Sequence, residues 1–202
     1  MKKITFLFIL TFGLSLLCKA QSKEIDVARH NEIIEILNDK NNTLKQQILD
    51  RILNNPNYYN PPVLYAVSRE LFIQEKKDEA MYWFYVAQLR ARYDSNLCLD
   101  NSAKQAVSIL NNYYGPDINK YAFQDLNKLE KTVIKVVDFV KTNEENYDQR
   151  WINLHGMDAV QNNLNEKTES KETSEPKEKW LAIKKKTIDD YYNAFIEYVK
   201  NK

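Results

Sequence analysis

The stretch DEAMYWFYVAQLRARYD, Asp78 to Asp94, limits what this chain can become more than any other feature. Four aromatic side chains stand in a row, Tyr82, Trp83, Phe84 and Tyr85, flanked by small or aliphatic residues. No glycine or proline interrupts the run and Asp78 can cap it, so the spacing predicts a helix. Ala80, Phe84, Ala87 and Ala91 share one face, where small residues let a neighbouring helix approach closely around one large ring. Trp83 and Val86 lie on an adjoining face, and Met81, Tyr85 and Leu89 cover another. A helix apolar on nearly every side has to be enclosed on several of them. The expected solution is a middle helix in a stack of antiparallel pairs, its partner being Val63 to Gln74 with Leu64, Val67, Leu71 and Phe72.

Other segments carry helical periodicity too. Glu24 to Leu37 displays Ile25, Ala28, Ile33, Ile36 and Leu37, and Asn41-Asn42 breaks it. Thr43-x-x-Gln46 is a capping box for a helix with Leu44, Ile48 and Ile52, stopped at Asn54-Asn55-Pro56. Asn57 to Asn60 reads as a loop, and Pro61-Pro62 suits a helix start. Ser102-x-x-Gln105 opens a helix through Ala103, Ala106, Val107 and Leu110, with Gly115-Pro116 as its expected end. Asp125 can cap the cleanest stripe, Leu126, Leu129, Val133, Val136 and Val140.

The ends differ from this body. Lys2 and Lys3 precede a nearly unbroken apolar run, Ile4 to Leu17, too short and too close to the terminus for a membrane span. Cys18-Lys19-Ala20 places small residues where a signal peptidase reads, so residues 1–20 are expected to be removed, leaving Gln21 first. Acylation at Cys18 is the alternative, disfavoured because Leu17 stands where lipoprotein signals place a small residue. Cleavage leaves 26 basic against 28 acidic residues, a near balance with no basic footprint for nucleic acid. The expected destination is the periplasm or the outside, with no integral membrane segment in the mature chain. Asn165 to Lys179 has five glutamates, four lysines and no apolar side chain, the composition of a solvated linker. Beyond it, Ile188, Tyr191, Tyr192, Phe195 and Val199 line one side of an amphipathic helix. The organisation is therefore a signal peptide over 1–20, a helical domain over 21–163, a charged linker over 164–179 and a terminal helix over 180–202.

Ala80-x-x-Trp83-Phe84-x-x-Ala87 resembles the second helix of the Sel-like subclass of tetratricopeptide repeats, and Leu64, Val67 and Leu71 match packing positions of the first helix. The match covers about one repeat, Val63 to Arg92. Glu75-Lys76-Lys77 lacks the glycines usual in the connection, and Ser68 stands where a glycine is usual. The resemblance implies a degenerate repeat fold that presents a groove to another protein or peptide. With the other periodic segments, the expected fold is an all-α, tetratricopeptide-like array of about six or seven helices plus a C-terminal amphipathic helix. More loosely, Pro61 to Ala159 looks like segments of exported bacterial proteins, some of which act as immunity proteins against secreted toxins.

Candidate chemistry is sparse. Two histidines, and the single cysteine left after cleavage, offer no metal-ligand spacing, and no cofactor motif is present. Leu97-Cys98-Leu99 reads as apolar packing. An enzymatic alternative pairs Cys98 with His155, with Asp94 or Asp100 orienting the base. Arg150, Trp151, His155 and Asp158 sit in a non-repetitive loop, RWINLHGMDA, where Gly156 permits a tight turn and Trp151, Ile152, Leu154 and Met157 are expected to drop onto the stack. Tyrosine has an apolar body and a polar tip, which suits contact surfaces. The doublets Tyr58-Tyr59 and Tyr113-Tyr114 therefore join Arg150, Trp151, His155 and Asp158 as candidate partner-binding residues. The expected function is non-enzymatic protein binding, as an envelope adaptor or immunity protein; a structural envelope component whose tail helix docks on another subunit is a further alternative.

Overall fold

The computed structural model of the chain describes residues 24–157, 159 and 172–201. The expected signal peptide, Asp158 and the first half of the expected linker lie outside them. The fold is all-α. Among the described residues the helices are α1 (Ala28–Asn38), α2 (Lys45–Asn54), α3 (Pro61–Ile73), α4 (Lys77–Leu97), α5 (Gln105–Ala122), α6 (Leu126–Thr142) and α7 (Lys177–Lys200). Short 3₁₀ turns occupy Pro56–Tyr58, Asn101–Lys104 and Gln149–His155. None of the described helices is long and apolar enough to cross a membrane.

α4 is the central helix. α3 packs along it most extensively, and α5, α6, α7 and the Gln149–His155 turn cover its other sides. Ala80, Phe84, Ala87 and Ala91 are all fully buried, as are Leu64, Val67 and Leu71 on α3. The Tyr65 ring meets Phe84 edge-on at 5.4 Å. Trp83 is half-buried and packs edge-on against Phe139 of α6 at 5.7 Å. A relay of hydrogen bonds crosses the stack: Tyr191 Oη donates to Gln88, whose amide donates to Asn111, which also accepts from Tyr65 Oη.

The α3–α4 connection shows how the chain manages without glycine. The amides of Glu75 and Lys76 donate to the carbonyls of Phe72 and Leu71, the paired bonds of a Schellman cap. That cap puts Glu75 at φ 61°, left-handed backbone where glycine is cheapest. Ser68, in the position where a glycine was usual, is fully buried and donates its hydroxyl to the Tyr65 carbonyl.

Several helix ends depart from expectation. α4 starts at Lys77, one residue before Asp78, whose carboxylate instead accepts from Tyr121 Oη and Lys128 Nζ at the junction of α5 and α6. Two expected capping boxes are replaced: Asn42 accepts from the Leu44 amide, and Asp100 accepts from the Ser102 amide. α5 does not stop at Gly115-Pro116 but runs on to Ala122 with Pro116 inside. Gly115 serves close packing, because a β-carbon there would lie 2.9 Å from Phe84 Cζ. Pro116 removes the N–H that the Asn112 carbonyl would take, and Arg69 Nη2 donates to the adjacent Tyr113 carbonyl at 2.9 Å. Asn60 and Asp125 cap α3 and α6, and Leu129, Val133, Val136 and Val140 are fully buried.

The C-terminal region folds back on the body. α7 begins at Lys177, three residues before the expected Trp180, and buries Ile188 and Tyr191 against α4 and α6. The described end of the charged segment is pinned: the Leu99 amide donates to the Thr173 carbonyl and the Glu175 amide to the Leu97 carbonyl.

Candidate binding groove

A groove of about 450 Å³ opens between α1, the start of α3, the first half of α5 and the Gln149–His155 turn. The helices supply its shape in a simple way. α5 has two apolar stripes, and only one can face α4. Ala106 and Val107 turn inward, while Ile109 and Tyr113, four residues apart, are left 65% and 59% exposed on the groove side. Val27 and Ile34 form the opposite wall, and Trp151, Leu154 and His155 form the floor. Tyr113 and Tyr114 meet edge-on at 4.8 Å, and the Arg69 guanidinium lies over both rings at 4.1 and 4.3 Å. Rings fixed in this way lose little further freedom when something packs on them.

Behind the groove lies a buried polar seam. Arg90 and Asp94, one turn apart on α4, have no exposed surface. Arg90 Nη2 donates to Asn57 Oδ1 at 2.6 Å, and its Nε stands 3.7 Å from Glu145 Oε1, an ion pair without a hydrogen bond. Lys184 Nζ of α7 reaches the other Glu145 oxygen at 2.8 Å. Asp94 Oδ2 accepts from Trp151 Nε1 at 2.7 Å and from Tyr147 Oη at 3.0 Å. Burial pushes the Asp94 carboxyl well above the usual range, against the opposing pull of the Trp151 and Tyr147 hydrogen bonds. The same burial pushes the Tyr147 phenol up. Asp94 and Glu145 thus sit where two cations, Arg90 and Lys184, and two neutral hydrogen-bond donors, Trp151 and Tyr147, converge.

The candidate residues separate into three groups. Tyr113, Tyr114, Trp151 and His155 come together in the groove. Tyr58 and Tyr59 line a neighbouring cleft of about 480 Å³ with Arg29, His30 and Asn55. There His30 Nε2 lies 3.3 Å from the Tyr58 carbonyl, and burial lowers its imidazole pKa despite that contact. Arg150 grips Asp148 through Nε and Nη2 at 2.9 and 2.6 Å. Burial works against that carboxylate, but the Arg150 side-chain and backbone bonds hold its pKa below normal. Asp158 lies outside the described residues.

The loop reading needs two corrections. Trp151 and Ile152 are buried, but Leu154 is 43% and Met157 56% exposed, so the loop packs on one side only. Gly156 has ordinary φ (−91°); its lack of a side chain matters because a β-carbon would run into the Asp100 carboxylate. Cys98 is buried with Sγ 3.6 Å from the Asp100 carbonyl, while the His155 ring meets Trp151 edge-on at 5.6 Å, its pKa lowered by burial. Among the described residues no group of three or more His, Cys, Asp or Glu could hold a metal ion.

Sequence reasoning missed Ile109 and Leu154 in the groove, and Arg90, Glu145 and Lys184 in the seam. Ile109-x-x-x-Tyr113 was readable as a second stripe beside Ala106-x-x-x-Leu110. Arg90 and Asp94 were readable as charges on a helix with no wet face to hold them. Comparisons with protein families, with curated proteins and with solved structures found no match to the chain.

Proposed function

We propose that the chain is an exported, non-enzymatic protein-binding module of helical-repeat type, and that the groove takes an apolar segment of another protein. The observation that carries the reading is the exposure of Ile109, Tyr113 and Leu154 side by side in a concave site whose rings are fixed from behind. Concave apolar sites with a few polar tips are the usual form of a binding pocket, and fixed aromatic residues are the usual anchors at protein interfaces. Export is supported by the Lys2-Lys3 start, the apolar run to Leu17 and the Cys18-Lys19-Ala20 site. The repeat reading is supported by the α3–α4 pair, where Ala80, Phe84 and Ala87 are buried beside Leu64, Val67 and Leu71.

The test is retention of a partner from the envelope fraction by the protein in excess, compared with Ile109→Asp/Leu154→Asp. Both side chains are exposed, so the double variant should fold with stability within about 0.5 kcal/mol per site of the parent. The reading expects a partner held by the parent and released by the variant. No retained partner, or equal retention by both proteins, would contradict it.

A further inference from the structure

The groove floor and the C-terminal helix are joined by two separate sets of contacts. The first runs through the seam. Lys184 Nζ of α7 bonds Glu145 Oε2 at 2.8 Å and the Asn143 carbonyl at 3.1 Å, and the Glu145 side chain is only 4% exposed. Two residues on, Tyr147 is fixed to Asp94, and four residues further Trp151 is fixed to the same carboxylate oxygen. The Asn146 amide donates to the Asn57 carbonyl at 2.7 Å, so residues 143–151 are clamped from three elements at once. The second set is shorter. Asn153, buried between Ile152 and Leu154, donates from Nδ2 to Thr173 Oγ1 at 2.9 Å and to Ser174 Oγ at 2.8 Å. Thr173 and Glu175 pair with Leu97–Leu99, directly before α7.

We infer that α7 and its leading residues 173–175 set the shape of the groove floor, so that docking of the C-terminal helix and the partner-ready groove are one coupled state. Removing Lys184 leaves Glu145 buried with only a distant guanidinium for company, a situation that a buried carboxylate escapes by moving toward water. Its segment carries Trp151, Leu154 and His155 into the groove, so the floor moves with it. Coupling of this kind is reciprocal: whatever orders the floor also tightens α7. The inference rests on the groove reading for its functional sense.

Hydrogen exchange read by mass spectrometry on the full chain tests it without any partner. In Lys184→Met, amides of α7 and of 147–157 should both exchange faster, by about fivefold or more, while α3 keeps its parental rates. Faster exchange confined to α7, with 147–157 unchanged, would overturn the coupling. If Lys184→Met loosens the whole chain, Asn153→Ala decides, since it removes two hydrogen bonds and no charge. It should speed α7 by about fivefold or more, and acceleration confined to 151–156 would overturn the inference. Uncoupled exchange leaves the groove standing, whereas a partner indifferent to Ile109→Asp/Leu154→Asp sinks the groove and leaves the coupling.

Discussion

The two halves of α4 solve burial in opposite ways. From Ala80 to Leu89 the helix is enclosed mainly by apolar contact, small residues alternating with large rings, and none of its buried side chains is charged. From Arg90 to Leu97 it is equally enclosed, yet Arg90 and Asp94 lie inside with Glu145, Tyr147 and Lys184 gathered round them. Apolar packing is graded and forgiving, because each lost contact is small. A buried charge network is conditional: each member is tolerable only while its partners stay. The first half builds the scaffold. The second fixes the loop that floors the groove.

The sharpest break between the halves is predicted at Arg90. Arg90→Ala should cost about 3–5 kcal/mol in urea unfolding, because a large void opens, Asn57 Oδ1 loses its buried donor and Glu145 keeps only one of its two cations. Replacing the whole ionic set, as Arg90→Met/Glu145→Leu/Lys184→Met, should recover most of that loss. Failure to recover would mean that the seam contributes net stability and that the contrast is overstated.

In the apolar half the matching test is overpacking. Gly115→Ala puts a methyl 2.9 Å from Phe84 Cζ and should cost about 1–3 kcal/mol, with the aromatic near-ultraviolet signal altered. An unchanged midpoint would show that Phe84 has room to move.

Asp94→Asn asks whether charge, beyond polarity, defines the second half. Burial raises the carboxyl's folded pKa, so the folded state holds its proton more tightly than the unfolded chain. Its contribution is therefore fully present below the unfolded value, about 4, and is lost as pH rises through the raised folded value. The Tm of the parent should fall relative to Asp94→Asn as pH rises above about 4. A gap that stays constant with pH would contradict a titrating Asp94. The smallest effect is a gain at the turn before α4: Glu75→Gly should stabilise by about 0.5–1 kcal/mol by relieving left-handed backbone.

The halves also differ in what the sequence disclosed. Ala80, Phe84, Ala87 and Ala91 repeat at helical spacing, and a periodic apolar pattern states its own burial. Asp125 and the Leu129 to Val140 stripe were legible for the same reason. Gly115-Pro116 was misread because both residues usually end helices; here a close approach to Phe84 and the Arg69 contact at Tyr113 override that tendency. The seam was not legible as a unit, since Asn57, Arg90, Asp94, Glu145, Tyr147, Trp151 and Lys184 meet only after four elements have packed. Four of the eight candidate contact residues line the groove, the Tyr113-Tyr114 doublet and Trp151 and His155 of the loop, whereas Ile109 and Leu154 are single aliphatic residues that no motif in the sequence sets apart.

The groove's role is tested most directly by a photoreactive phenylalanine placed at Ile109, at Leu154 and, as a control, at the exposed Ile73, which is not part of the groove lining. Irradiating cells that produce the protein should give one discrete protein adduct shared by positions 109 and 154 and missing at 73. The same adduct at all three positions, or none at 109 and 154, would contradict the account.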